Sequence, residues 1–327
     1  MHKRCLFFAA RLGLLAALLL PAAAPSSRGY DLPTVNLGFT SFLDGGPPAG
    51  PGLYFAQYFQ FYTSDSFRDH RGDEMPLPDP RLNLLASLSQ FIYQSDQKVL
   101  FGGKWGLNVM VPVVGFDLTG AGGMAEKPSG LGDIWIGPYL QWDPIMGEKG
   151  PIFMHRIEFT CVAPLGQYSS NYELNPGSGF FSFNPYWSGT WFIAPRWTTS
   201  VRAHYLWNDS NDEPNRDFIG APFFATETQA GQAIHLNFAL DYELIPKRLR
   251  LGFNGYYLKQ ITDTEVNGKD FKDWTGTDRQ EEVLGLGPGA VLHFNQNNHL
   301  FFNAYFETAV ENRTQGQRFN LRFVHHF

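Results

Sequence analysis

From Leu53 to the end of the chain, segments of about ten residues recur in which apolar and polar positions alternate, the two-residue period of a strand with one apolar and one wet face. The clearest is Ala233 to Tyr242, where Ile234, Leu236, Phe238, Leu240 and Tyr242 share one face and His235, Asn237 and Asp241 the other. From Leu249 to Leu258, the residues Leu249, Leu251, Phe253 and Tyr257 oppose Arg250, Asn254 and Tyr256. Near the C-terminus Phe319, Leu321, Phe323 and Phe327 oppose Arg318, Asn320 and Arg322. A soluble sandwich also alternates, but it does not repeat Arg, His, Asn and Asp on its second face while keeping the first so aromatic.

Marking each run predicts about twelve strands: Leu53 to Tyr62, Leu82 to Tyr93, Val99 to Val113, Leu131 to Trp142, Ile152 to Val162, Phe180 to Trp191, Trp197 to Trp207, Ala233 to Tyr242, Leu249 to Leu258, Val283 to Phe294, Leu300 to Val310 and Arg318 to Phe327. Their connections alternate in length. Short turns fall at Gln94 to Gln97, Ile193 to Arg196, Ile245 to Arg248 and Asn295 to Asn298, with a longer one at Asp143 to Pro151. Long polar loops fall at Thr63 to Pro80, Asp117 to Gly130, Gly166 to Gly179, Asn208 to Gly231 and Thr262 to Glu281, whereas Glu311 to Gln317 is short for its place. Brief turns at one end and extended loops at the other are the asymmetry of outer-membrane barrels. The predicted fold class is therefore all-β, an antiparallel transmembrane β-barrel with both termini on the periplasmic side. Pro288, inside the Val283 to Phe294 run, removes a ladder donor and predicts a bulge or bend.

Composition sharpens this. Aromatic residues make up 16% of the chain and charged residues only 17%, yet mean hydropathy is -0.23, a combination that fits a chain whose apolar residues are spread over alternating positions. Past the N-terminus no run approaches the roughly 20 apolar residues of a membrane helix. Trp105, Trp142, Trp187, Trp191, Trp197 and Trp207 gather toward strand ends, where an amphipathic ring suits a headgroup boundary. The formal net charge of -6 leaves no basic excess for a phosphate backbone, so nucleic acid is not expected as a partner.

At the N-terminus, Lys3 and Arg4, the apolar Leu12 to Leu20 and the small Ala22-Ala23-Ala24 read as a signal peptide over residues 1–28, which implies export. Cys5 leaves with it, so Cys161 stands alone and no disulfide forms. Residues 29–52 precede the barrel of residues 53–327; they are too rich in Gly and Pro for a strand or helix but carry the apolar anchors Phe39, Phe42 and Leu43. Such anchors suit a segment tucked into the lumen as a plug, or else a periplasmic linker.

Strand parity points Arg156, Glu158, Arg202, His204, His235, Asn237, Asp241, Arg250, Asn254, Asn303, Tyr305, Glu307, Arg318, Asn320 and Arg322 inward. Both signs of charge occur, so a paired polar interior is expected. Twelve strands lie between the filled eight-stranded barrel and the open porin, which predicts a narrow or partly blocked passage. Nothing calls for a cofactor: the histidines lack zinc-site spacing, and the acidic stretches Asn208 to Asp217 and Asp263 to Glu282 lack the EF-hand glycine. A barrel-embedded lipid hydrolase or an adhesive barrel would share this architecture, but no Gly-x-Ser-x-Gly elbow is present.

The stretch from Val35 to Gly72, with Thr40-Ser41-Phe42-Leu43-Asp44-Gly45, Gly50-Pro51-Gly52-Leu53-Tyr54 and Tyr58-Phe59-Gln60-Phe61-Tyr62, is followed by Gly102-Gly103-Lys104-Trp105-Gly106, Val111-Pro112-Val113-Val114, Leu131-Gly132-Asp133-Ile134 and Gly137-Pro138-Tyr139. Together these resemble the SphA-like transporter family linked to the meta-cleavage pathway of phenol degradation. The resemblance implies an outer-membrane channel of a Gram-negative bacterium that passes small hydrophobic or aromatic compounds, with no catalytic residues. Lipids, lipopolysaccharide and the barrel assembly machinery, which reads a terminal Phe such as Phe327, would be its partners.

Overall fold

Each stretch of alternating residues forms a strand because only pairing with both neighbours satisfies its backbone where no water reaches. The computed structural model describes residues 32–47, 49–216 and 224–327. Its barrel strands are β1 (Gly52–Phe67), β2 (Arg81–Lys98), β3 (Lys104–Thr119), β4 (Ile134–Gln141), β5 (Gly150–Ala163), β6 (Ser182–Ala194), β7 (Trp197–Asn208), β8 (Ala233–Ile245), β9 (Leu249–Gln260), β10 (Glu282–His293), β11 (Asn298–Glu311) and β12 (Thr314–His326). Each pairs antiparallel with the next, and β12 returns to β1 from Tyr54 against His326 to Phe67 against Thr314. The sheet thus closes as a twelve-stranded barrel with no free edge. The predicted signal peptide, residues 1–28, lies outside the described residues.

The short connections after β2, β6, β8 and β10 share one rim with the start of β1 and the end of β12; the long ones, together with the short link between β11 and β12, lie at the other. At the turn rim, Arg196 and Lys247 take positive φ values of 68° and 59° to reverse the chain tightly. Two expectations shift. The turn expected at Gln94 to Gln97 lies instead at residues 99–103, because β2 continues through a register shift between Gln94 and Lys98 before a 3-10 turn at Leu100–Gly102. The short Glu311 to Gln317 connection leaves only Asn312 and Arg313 between the strands, although the register between β11 and β12 ends earlier, at Phe306 against Gln317. At the loop rim, short strands at Ser210–Asn211, Thr228–Gln229, Glu265–Val266 and Lys269–Asp270 stitch two long loops into a small sheet.

Pro288 produces no bulge. The register between β10 and β11 is the same on either side of it, from Leu286 against Phe306 to Gly289 against Asn303, and the shift falls between Glu282 and Leu284. Losing one donor is tolerated because Pro288 still sits opposite Phe253 of β9.

Leu53, Phe59, Phe61, Leu85, Phe91, Phe253, Phe302, Leu321 and Phe323 are exposed on the outer surface, an apolar belt suited to lipid. Near the turn rim, ring contacts join Tyr93 to Trp105, Trp142 to His155, Phe153 to Trp191 and Trp197 to Tyr242.

Residues 32–47 run through the lumen. Their backbone and side chains bond to strands around the wall: Asn237 of β8 accepts from the Gly38 amide at 2.7 Å, Thr190 of β6 accepts from the Gly45 amide at 2.8 Å, and Gln141 of β4 donates to the Gly45 carbonyl at 3.0 Å. Ser41 donates to Asn303 of β11 at 3.0 Å, and Tyr305 donates to the Gly38 carbonyl at 3.1 Å. Gly38 needs to be glycine: its φ is +76°, and a Cβ would stand 2.5 Å from the Tyr305 ring.

Candidate functional site: the barrel lumen

All fifteen residues that parity points inward are buried, from Tyr305, His235, Asp241 and Asn254 at 0% exposure to Arg156, Arg202, Arg318 and Arg322 at 8%. They fall into clusters rather than one ring. Toward the loop rim, Glu307 accepts hydrogen bonds from Tyr62 at 2.8 Å, Tyr256 at 2.6 Å and the Gly316 amide at 2.8 Å, with Arg318 at 3.6 Å. Arg318 also donates to Gln60 at 2.8 Å, and Gln60 donates to Asn320 at 2.8 Å. Asn320 in turn donates to the Gly38 carbonyl of the threaded segment.

Further down, Glu158 accepts from Tyr186 at 2.6 Å, Thr160 at 2.9 Å and Asn108 at 3.0 Å. His204 and His235 stack at 4.0 Å and share the Asn184 side-chain oxygen. Arg250 pairs with Asp241, which also accepts from Thr198. Asn254 donates to the Ala304 carbonyl at 3.4 Å. Arg250 with Asp241 and Arg318 with Glu307 thus bring opposite charges together, and hydroxyls and amides hold the Glu158 and Glu307 carboxylates, which limits the cost of burial.

Phe39 and Phe42, at 2% and 1% exposure, pack in the main apolar cluster, and Phe39 meets Tyr58 of β1 edge-on at 5.9 Å. Leu43 is half-buried. The segment divides the lumen into an upper cavity of about 210 Å³ and a lower one of about 780 Å³, and Phe39 lines both.

Parity by polar residues misses one sector. On β2 and β3, Leu82, Leu84, Ala86, Leu88, Pro112, Val114 and Phe116 line the upper cavity, and Met110 and, on β4, Trp135 continue the apolar wall into the lower one. These strands also carry apolar residues outward, such as Leu85, Phe91 and Val113. The signal in the sequence is that Val109 to Val114 is apolar on both faces, as strands buried on both sides are, while in Leu82 to Leu88 the inward face is wholly apolar and the outward one carries Asn83 and Ser87. Asp44, which pairs with Arg202, is also missed, since nothing local marks it.

In the acidic outer loop, backbone amides occupy Asp263: it accepts from Thr264 at 3.0 Å, Lys272 at 2.9 Å and Arg279 at 2.9 Å. That stretch of acidic residues holds its own loop together.

A closed twelve-stranded barrel with an apolar outer belt and a threaded, partly apolar lumen defines the architecture of an outer-membrane β-barrel. The chain belongs to the family described as "Putative MetA-pathway of phenol degradation", whose model matches residues 64–323. Among solved structures, the COG4313 outer membrane channel from Pseudomonas putida F1 is similar over 90% of this chain and 100% of its own, with a TM-score of 0.71 and 17% identity. The β domain of the Bordetella autotransporter BrkA aligns over 85% of this chain and 100% of its own with a TM-score of 0.48 and 10% identity. The monoaromatic hydrocarbon channel TodX, as a deletion mutant, aligns over 93% of this chain and 99% of its own with a TM-score of 0.44 and 9% identity. None of the curated protein sequences matches.

Proposed function

We propose that this protein is an outer-membrane channel for passive uptake of small hydrophobic or aromatic compounds, with residues 29–52 constricting its lumen. The observation that carries this reading is the apolar wall of β2 and β3. An interior meant only for water and ions has no use for Leu82, Leu84, Leu88, Val114 and Phe116 facing a cavity, whereas an apolar solute leaving water is stabilised by about 25 cal/mol for each Å² it buries there. The wall reaches from the loop rim to Phe39 and resumes below it with Met110 and Trp135. The family description, which names phenol degradation, fits an aromatic solute.

Transport without chemistry is the reading over a hydrolase because the interior carboxylates are held by arginines, hydroxyls and amides, and a conducting lumen is the reading over a purely adhesive barrel because the apolar wall faces an interior cavity. Lipopolysaccharide around the long loops and the assembly machinery reading Phe327 would be its partners. The test is entry of 4-ethylphenol into liposomes containing the full chain. Faster entry than in protein-free liposomes is expected; equal rates would overturn the proposal.

A further inference from the structure

The arginines that strands turn inward divide into two kinds. Arg202 holds Asp44, Arg250 holds Asp241 and Arg318 lies beside Glu307. Arg156 and Arg322 have no carboxylate within ion-pair distance among the described residues, although each is only 8% exposed. Arg156 uses its Nε on Gln141 at 2.9 Å and lays its guanidinium 4.1 Å above the Tyr139 ring. Arg322 stacks 3.8 Å above Phe301, and its buried Nε meets no acceptor among the described residues. A ring fixes the plane of a guanidinium and leaves the donors on its edge free.

Both side chains line the lower cavity of about 780 Å³. Part of the wall around them is apolar, formed by Phe39, Phe42, Met110, Trp135, Phe301 and Val324, while Lys247 and Arg248 border the same space from the turn rim. The carboxylates bordering the same space are engaged elsewhere: Asp44 by Arg202, and Glu158 by Tyr186, Asn108 and Thr160; Glu243 accepts from the Lys247 amide at 2.7 Å. The cavity therefore offers an apolar surface beside two ring-stacked guanidiniums that meet no carboxylate among the described residues.

We propose that this lower cavity is a binding site for amphipathic carboxylates, an aromatic or aliphatic body carrying one anionic headgroup, with Arg322 and Arg156 supplying the anion contacts. Guanidinium is suited to this because its fork meets both oxygens of a carboxylate, and charge-assisted bonds of that kind are about twice as strong as neutral ones. The inference rests on the uptake reading above and adds the headgroup to it. A neutral hydrocarbon would use only the apolar wall; a carboxylate would use wall and arginines together.

The test compares acids with their alcohols on the full chain in lipid nanodiscs, by calorimetry with empty nanodiscs subtracted. The probes are 3-phenylpropionate against 3-phenylpropanol, and decanoate against decanol, so that aromatic and aliphatic bodies are separated. The acid of at least one pair is expected to bind about tenfold more tightly than its alcohol. Arg322→Gln and Arg156→Gln should each reduce that preference and the double variant should abolish it, with alcohol affinity held within about twofold. Equal affinity for acid and alcohol in the unaltered protein would overturn the site without any variant having to fold, as would a preference that survives in the double variant. The uptake reading fails separately, if 4-ethylphenol does not enter liposomes faster.

Discussion

The Arg202 guanidinium on β7 grips the Asp44 carboxylate of the threaded segment with two parallel hydrogen bonds, Nε to Oδ2 at 2.6 Å and Nη2 to Oδ1 at 2.7 Å. Asp44 and Arg202 lie 158 residues apart in the chain, and the fork-to-fork geometry joins the start of the chain to the far wall of the barrel. Both side chains are largely buried, at 8% and 10% exposure. Breaking the pair from either side strands the other charge.

Asp44→Ala is accordingly expected to destabilise the fold by about 3 kcal/mol, since it leaves Arg202 uncompensated. Combining it with Arg202→Met should cost less than the two single changes added together. Urea unfolding in lipid gives the energies, and single-channel conductance, expected to rise in Asp44→Ala, reports whether the segment has loosened.

Phe39 borders both cavities, so removing its ring should join them. Phe39→Ala is expected to speed liposome swelling by small sugars and to cost about 3 kcal/mol of stability. Phe42 borders only the lower cavity, so Phe42→Ala should cost stability with much less added leak.

Gly45 tests the seating of the segment by sterics alone. A Cβ there would stand 2.3 Å from the Met154 carbonyl oxygen and 2.5 Å from the Thr190 amide nitrogen, backbone atoms of β5 and β6 that cannot swing aside. Gly45→Ala should displace the segment and raise conductance while the barrel itself remains folded, as judged by heat-modifiable migration on gels.

Phe253 and Asn254 are neighbours on β9 with opposite surroundings, 52% and 0% exposed. A charge on the lipid face near mid-strand costs about 2 to 4 kcal/mol. Phe253→Arg should lose that much stability in bilayers, and Phe253→Leu should lose little.

Outside the barrel wall, Asp143 accepts an ion-pair contact from Lys104 at 2.8 Å and from Lys98 at 3.0 Å. Those lysines, Lys104 first, hold its carboxyl below the usual carboxylate range. Its contribution is therefore present above the unfolded value near pH 4 and is lost as pH falls through the lower folded value. Asp143→Asn should lower stability at pH 7, by a small amount because the site is half exposed and screened, and the two forms should converge as pH falls below about 4, where the carboxylate's contribution is lost. Stability of both forms between pH 2 and pH 7 checks this.

The sequence by itself determined the barrel. Alternation in Ala233 to Tyr242 or Arg318 to Phe327 needs only the two-residue period of a strand, and that period sends His235, Arg250 and Arg322 inward whatever the neighbours are. Alternating connection lengths set the strand count and put both ends of the barrel at one rim. Local pattern misplaced the β2 to β3 turn because a register shift between Gln94 and Lys98 depends on the partner strand. Only the tertiary structure decided the contents of the lumen. Whether Arg202 is paired and Arg322 free depends on Asp44 and Phe301, which strand closure brings together and no spacing announces. Pairing of β2 with β3 sets Ala86 opposite Val114 and Leu82 opposite Leu118 as an apolar wall, and contacts between the threaded segment and strands remote in sequence lead Phe39 between two cavities.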